Sequence, residues 1–177
     1  WLEKTSWVDQ VPTDDELDRV ARHEGLHLPG LSERMAVFRS QLQQPEITEL
    51  LSRESYDRLE SLPFETATCD EIASSAIEIT VHAEYPIAVE QEGEILNGTI
   101  DRLILVTAGD QLLAADVIDF KTDSVASDSE LDAKTEFYRG QLTAYRDAIG
   151  EVFGLAHERI ATRLAFLSAG RVIAVSG

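Results

Sequence analysis

The period of the apolar positions changes along the chain. The first third is helical in its spacing. In VPTDDELDRVARHEG, Leu17, Val20 and Ala21 share a face, with Thr13 or Asp14 as N-cap and Gly25 beyond the end. LSERMAVFRSQLQQ repeats Met35, Phe38 and Leu42 behind a Ser32 cap, Pro45 interrupts, and EITELLSR makes a short third helix. The opening WLEKTSW reads as the middle of a helix. Further on the period becomes two, with Ile77, Ile79 and Val81 alternating with Glu78, Thr80 and His82. Pro86 marks a bulge or an edge position. Residues 87–92 continue that strand, and EGEILNG supplies a hairpin with Asn97–Gly98 as turn formers. TIDRLILV, a turn at Ala108–Gly109–Asp110 and QLLAADVIDFKT complete an antiparallel meander. A polar loop, DSVASDSELD, leads to a helix over about 131–149. Its apolar and aromatic stripe is Phe137, Tyr138, Leu142, Tyr145 and Ile149, and Gly150 and Gly154 end it. RIATRLAFLS, an AGR turn and VIAVS supply the last strands. Helices, meander, helix, strands predict an α/β (α+β) domain with a mixed central sheet flanked by helices. Residues 1–60 would be the helical part and 61–177 the sheet and its core.

Composition narrows this picture. A length of 177 residues and a hydrophobic content of 44% suit one domain with its own core. No apolar run reaches transmembrane length, and no stretch has the order of a signal peptide. The single cysteine, Cys69, excludes an intramolecular disulfide framework and an all-cysteine zinc or iron–sulfur site within this chain, and points to the reducing cytoplasm. A net charge of −18 argues against tight nucleic-acid binding by phosphate neutralisation on this domain alone. With Trp1 at the start and Met35 as the only methionine, the expectation is a piece of a longer protein that would supply such affinity elsewhere.

Against this pattern, three charged residues stand on strands that otherwise read as core: Asp101, Asp119 and Lys121. Asp119 and Lys121 are two apart and share a face, while Phe120 points the other way. Pairing of the hairpin brings Asp101 close to Asp119, and two carboxylates so placed repel unless a cation sits between them. A divalent metal ion resolves the conflict, with Lys121 as a fixed positive charge beside it. Taken alone, Asp-Phe-Lys-Thr-Asp is an ordinary solvent-facing pair. The combination is more specific: Gly-x-x-Asp-Arg on one strand, Asp-x-Lys on the next, and Tyr-x-x-Gln-x-x-x-Tyr on the following helix. Tyr138, Gln141, Leu142 and Tyr145 fall at i, i+3, i+4 and i+7, on one helix face.

GTIDR (98–102), VIDFKTD (117–123), YRGQLTAY (138–145) and EITVHAEYPI (78–87), taken together, resemble the nuclease domain of RecB-type helicase–nucleases. This is the PD-(D/E)XK superfamily, with a restriction-endonuclease-like core, and the likeness is greatest to the C-terminal nuclease domain of AddA-like subunits. The resemblance implies that Asp101 and Asp119 ligate Mg²⁺, which Mn²⁺ could replace, with the backbone carbonyl of Phe120 as a further ligand. It implies that Lys121 orients or activates the attacking water, that Glu84 supports the metal or its waters, and that Tyr138, Gln141 and Tyr145 place the DNA strand. The implied activity is a Mg²⁺-dependent deoxyribonuclease, an exonuclease on single-stranded DNA ends without an iron–sulfur cluster. The implied setting is an ATP-dependent helicase–nuclease of double-strand-break repair and recombination. It would carry helicase domains in the same parent chain and act with a second helicase–nuclease subunit, away from membranes.

The chain departs from the pattern in lacking the family's Gly-x-x-x-His signature on an earlier helix. His23 and His27 do not stand in that context, and His82 only shares parity with Glu84. The expectation is that WLEK is the tail of that helix and that its His lies before Trp1. Two other readings remain open: a degenerate nuclease-like module that grips DNA or docks a subunit, and an acidic α+β interaction domain whose carboxylates are merely solvated.

Overall fold

The period-two stretch folds into two strands of equal length. β1 (Ile77–Gln91) and β2 (Glu94–Ala108) pair antiparallel from Ile77 with Ala108 to Gln91 with Glu94. β2 then pairs antiparallel with β3 (Gln111–Lys121), giving the expected meander. This computed structural model describes residues 1–27, 29–57, 63–64, 66–74, 76–91 and 94–175. The expected hairpin at EGEILNG and the boundary at residues 60 and 61 therefore fall partly or wholly outside the described residues, as does the end of VIAVS.

Asn97 and Gly98 do not turn the chain: they pair with Ala88 and Ile87 within the ladder. The glycine serves a close approach instead, since a Cβ there would lie 3.0 Å from Cε1 of Tyr145.

β4 (Ile160–Phe166) pairs parallel with β3, and β5 (Arg171–Ala174) pairs antiparallel with β4. The sheet is therefore mixed, in the order β1-β2-β3-β4-β5. A parallel pair needs a crossover. Here it contains α6 (Asp128–Phe153), longer at both ends than the apolar stripe predicts. The Ser127 side chain caps its start by accepting from the Glu130 N–H. Gly154, left-handed at φ 67°, ends it, whereas Gly150 lies inside.

The two faces of the sheet bury different partners. On one, Leu142, Ala148 and Ile149 of α6 pack on Leu103, Ala115, Val117 and Leu164. On the other, α3 (Pro45–Leu51), α4 (Arg53–Asp57) and α5 (Thr66–Ala73) contribute Ile47, Leu51, Tyr56 and Ile72 against Ile79, Ile104, Ala114 and Ile118. β3 is covered on both sides and buried through its middle, which is why its sequence reads as nearly continuous apolar.

The N-terminal helices follow the pattern with corrections. α1 (Asp14–His23) has a full capping box between Thr13 and Glu16. α2 (Leu31–Leu42) begins after Gly30, not at a Ser32 cap. WLEKTSW holds a single 3₁₀ turn (Leu2–Lys4), because Trp1 and Trp7 pack against the core rather than continuing a helix. Phe137 leaves the predicted apolar stripe altogether and is 79% exposed.

Candidate active site

The strand register sets the site. The β2–β3 ladder is paired to Arg102 with Ile118, and Asp101 and Asp119 follow at the next position. Asp101 Oδ2 accepts the Phe120 N–H at 2.7 Å, which ties the first carboxylate to the strand that carries the second. Across β2 in the other direction, Glu84 lies opposite Asp101, between the pairs Ala83–Arg102 and Tyr85–Ile100. Three carboxyl-bearing positions thus line up across β1, β2 and β3. Glu84 is exposed, and its backbone is left-handed at φ 50°, a region that costs a side-chain-bearing residue about 1–2 kcal/mol.

Asp119 is only 3% exposed. Burial, opposed by Lys121 and reinforced by the Asp101 carboxylate, pushes its pKa up to about 6. Lys121 Nζ lies 2.5 Å from Asp119 Oδ2. Oδ2 is buried and, among the described residues, meets no hydrogen-bond donor besides this ammonium. Burial, followed by the Asp101 charge, also raises the pKa of Glu84.

α6 closes the site from one side, and the helix face predicted from spacing is the one that faces it. Lys121 Nζ donates to Gln141 Oε1 at 3.1 Å and stands 3.9 Å from the centre of the Tyr138 ring. Gln141 Nε2 donates to Tyr145 Oη at 2.9 Å, and Tyr145 Oη donates to the Thr99 carbonyl on β2 at 2.9 Å. Tyr138 Oη donates to Asp123 Oδ2 at 3.1 Å. All the residues expected at the site, Glu84, Asp101, Asp119, Phe120, Lys121, Tyr138, Gln141 and Tyr145, are therefore brought together by β1–β3 and α6.

Other contributors are not apparent from motif spacing. Lys134 donates to Asp123 Oδ1 at 2.8 Å, holding the Asp123 carboxyl below its ordinary range and tethering α6 to the end of β3. Arg102, next to Asp101, points to the opposite face and is 1% exposed. Its guanidinium donates to the carbonyls of Thr5 and Ser6 and lies 5.4 Å from the Trp7 ring. Burial lowers its pKa to about 10. Partners almost a hundred residues away leave no local signal. His23 lies in the last turn of α1, and the His82 ring packs edge-on against Tyr85. The cleft lined by Glu46, Glu49, Tyr56 and Arg163 contains none of the expected site residues.

Among the described residues, no group of three or more His, Cys, Asp or Glu side chains comes together as a metal site. The donor set present is two carboxylates and strand backbone, all oxygen. Asp119 Oδ2 is a buried acceptor with only the Lys121 ion pair to offset it. Hard divalent cations that retain waters suit such a set.

A sequence model for the PD-(D/E)XK nuclease superfamily matches residues 12–173. No curated protein matches the chain. No helix among the described residues is long and apolar enough to cross a membrane.

Proposed function

The chain belongs to the PD-(D/E)XK nuclease superfamily, whose members are generally metal-dependent nucleases, and on that premise we propose that it hydrolyses DNA phosphodiester bonds at Asp101, Asp119 and Lys121. The observation that carries this reading is the contact of Lys121 with both Asp119 and Gln141. A half-buried ammonium beside a buried carboxylate with a raised pKa has little purpose in a solvent-facing pair. At the edge of a phosphate site it has one.

In this reading Asp101, Asp119 and the Phe120 carbonyl hold a divalent ion, Mg²⁺ or Mn²⁺, with Glu84 supporting its waters. When bound, the ion neutralises phosphate charge and lowers the pKa of a coordinated water. The protein's own groups do the rest. Asp119 must be ionised, which favours pH above about 6. Lys121 stands where charge builds on the phosphate and keeps the attacking water oriented. Gln141 fixes Lys121, and the Tyr145 hydroxyl fixes Gln141 against β2. Tyr138 covers the ammonium with its ring and borders the path of the strand.

The finer proposals rest on the resemblance of GTIDR, VIDFKTD and YRGQLTAY to AddA-like nuclease domains. The chain, residues 1–177, is one nuclease domain of a helicase–nuclease that trims single-stranded ends during break repair in the cytoplasm. Its helicase domains and a second subunit deliver the strand, which accommodates the net charge of −18 on this domain.

The test is cleavage of end-labelled single-stranded DNA with Mg²⁺ or Mn²⁺, by the chain and by Lys121→Ala. Metal-dependent cleavage lost in Lys121→Ala is expected. Equal cleavage by both proteins would overturn the assignment. DNA binding with neither cleavage nor metal uptake would identify a degenerate docking module instead.

A further inference from the structure

Two features of α6 find no explanation in packing. Phe137 is 79% exposed, although the apolar stripe of the helix places an aromatic there. Gly140, one turn on, stands in mid-helix, where glycine costs about 1 kcal/mol relative to alanine. A Cβ built on Gly140 meets no atom within 4 Å. The other glycine inside this helix, Gly150, has a packing reason, since its Cβ would lie 3.1 Å from the Leu155 carbonyl oxygen. Space alone would admit any side chain at Gly140, so its bareness calls for something that lies over it.

Phe137, Gly140 and Gln141 fall at i, i+3 and i+4 and share one face. The Phe137 ring stands edge-on to Tyr138, with centroids 5.0 Å apart, and Tyr138 covers Lys121. An exposed ring beside a bare stretch of helix is thus continuous, through Tyr138 and Lys121, with Asp119. A planar apolar ligand attached to a phosphate matches that layout. We propose that Phe137 and Gly140 form a stacking ledge that takes a nucleobase of a single-stranded nucleic acid, flanking the phosphate held at Asp119 and Lys121. Phe137 supplies the π-face and Gly140 the clearance. Stacking is blind to base identity, so the ledge positions the strand without selecting sequence. A paired base in a duplex has both faces covered, so the ledge favours single strands. The inference rests on the nuclease reading of the adjoining site, and extends it to where the bases go.

The experiment uses the whole chain with Ca²⁺ in place of Mg²⁺ and two labelled 12-nucleotide probes. One is oligodeoxythymidine, and the other has the same phosphates but abasic residues. Phe137→Ala is expected to weaken oligodeoxythymidine binding about ten- to hundredfold, and to leave abasic binding unchanged. Phe137→Trp should retain the affinity. Gly140→Gln should weaken the same probe while raising Tm, which separates a blocked ledge from a damaged fold. A 2-aminopurine in the strand should lose its stacking-induced quenching in Phe137→Ala. Unchanged affinity and quenching in Phe137→Ala would overturn the ledge, and Lys121-dependent cleavage would then leave the nuclease reading standing. Failure of the parent chain to bind oligodeoxythymidine more tightly than the abasic probe would overturn the ledge alone, since the nuclease reading is tested by cleavage.

Discussion

Replacing Asp119 by asparagine should stabilise the metal-free protein at neutral pH while abolishing cleavage. Asp119 is 3% exposed and its pKa is raised from 3.8 to about 6 by burial, against the pull of Lys121. Below pH 4 the carboxyl is protonated in both folded and unfolded chains. Between 3.8 and about 6 the folded chain retains a proton that the unfolded chain has released, so stability falls as pH rises through this window. At about 1.4 kcal/mol per pH unit the loss amounts to about 3 kcal/mol, complete somewhat above pH 6. The asparagine side chain stays neutral throughout. The Asp119→Asn variant should therefore match the parent near pH 4 and exceed it by about 6–12 °C in Tm near pH 8, for a domain of this size. Thermal denaturation in EDTA from pH 4 to 8 reads the difference directly, and taking the difference removes the other titrating groups. Mg²⁺ should then raise the parent's Tm and leave the variant's unchanged, because binding to the folded state restores what ionisation costs. A Tm difference that stays constant from pH 4 to pH 8, or a variant less stable than the parent at pH 8, would refute the reasoning.

Further outcomes follow from single residues. Glu84→Gly removes the left-handed strain at φ 50° and should gain about 0.5–1 kcal/mol in urea denaturation, after the entropic cost of glycine, while cleavage falls. Gly98→Ala forces a methyl to 3.0 Å from the Tyr145 ring. It should cost about 1–3 kcal/mol and lower kcat by disturbing the Tyr145–Gln141–Lys121 chain, as steady-state kinetics would show. Asp116 is fully buried and pairs with Arg163 and the Tyr56 hydroxyl, so Asp116→Ala should cost about 3–5 kcal/mol in urea denaturation by leaving a buried guanidinium unpaired.

The elements that could be read from the chain are those whose signals are local. The alternation at Ile77, Ile79 and Val81, and the helical spacing of Tyr138, Leu142 and Tyr145, survive in the structure because each face has one fixed environment. The mixed sheet followed from element order, since the loop and helix between β3 and β4 are long enough for a parallel crossover. The grouping of the expected residues was readable for the same reason: Asp-x-Lys on a strand has one geometry, and the neighbouring register leaves one place for Asp101. Signals with two meanings misled. Asn97–Gly98 is a turn dipeptide by propensity, but the ladder runs through it because Gly98 makes room for Tyr145. Ser32 is a good cap, yet α2 starts two residues earlier than such a cap would place it, from a left-handed Gly30. Phe137 belongs to an apolar stripe by spacing, yet faces solvent. What could not be read at all is long-range pairing. Arg163 donates to Tyr56 at a separation of 107 residues, and no period or motif announces it.

The division of the sheet into two faces explains how a domain tolerates such a site. Consecutive residues on β2 face opposite ways, so Asp101 on one face is backed by Arg102 on the other. Arg102 gathers the Thr5 and Ser6 carbonyls and the Trp7 ring, and Trp7 packs in turn 5.3 Å from Tyr56. Tyr56 joins the Asp116–Arg163 pair on β3 and β4. The strands that carry Asp101 and Asp119 are therefore pinned from behind by side chains that take no part in the chemistry. That rigidity matters, because the site itself works against stability: Asp119 is buried with a raised pKa, and Glu84 is held in a strained backbone. Looser strands would relieve the first by letting water reach Asp119. Pinned strands keep Asp119 buried beside Asp101, so at the proposed site a cation would offset the cost of ionising a carboxyl held away from water.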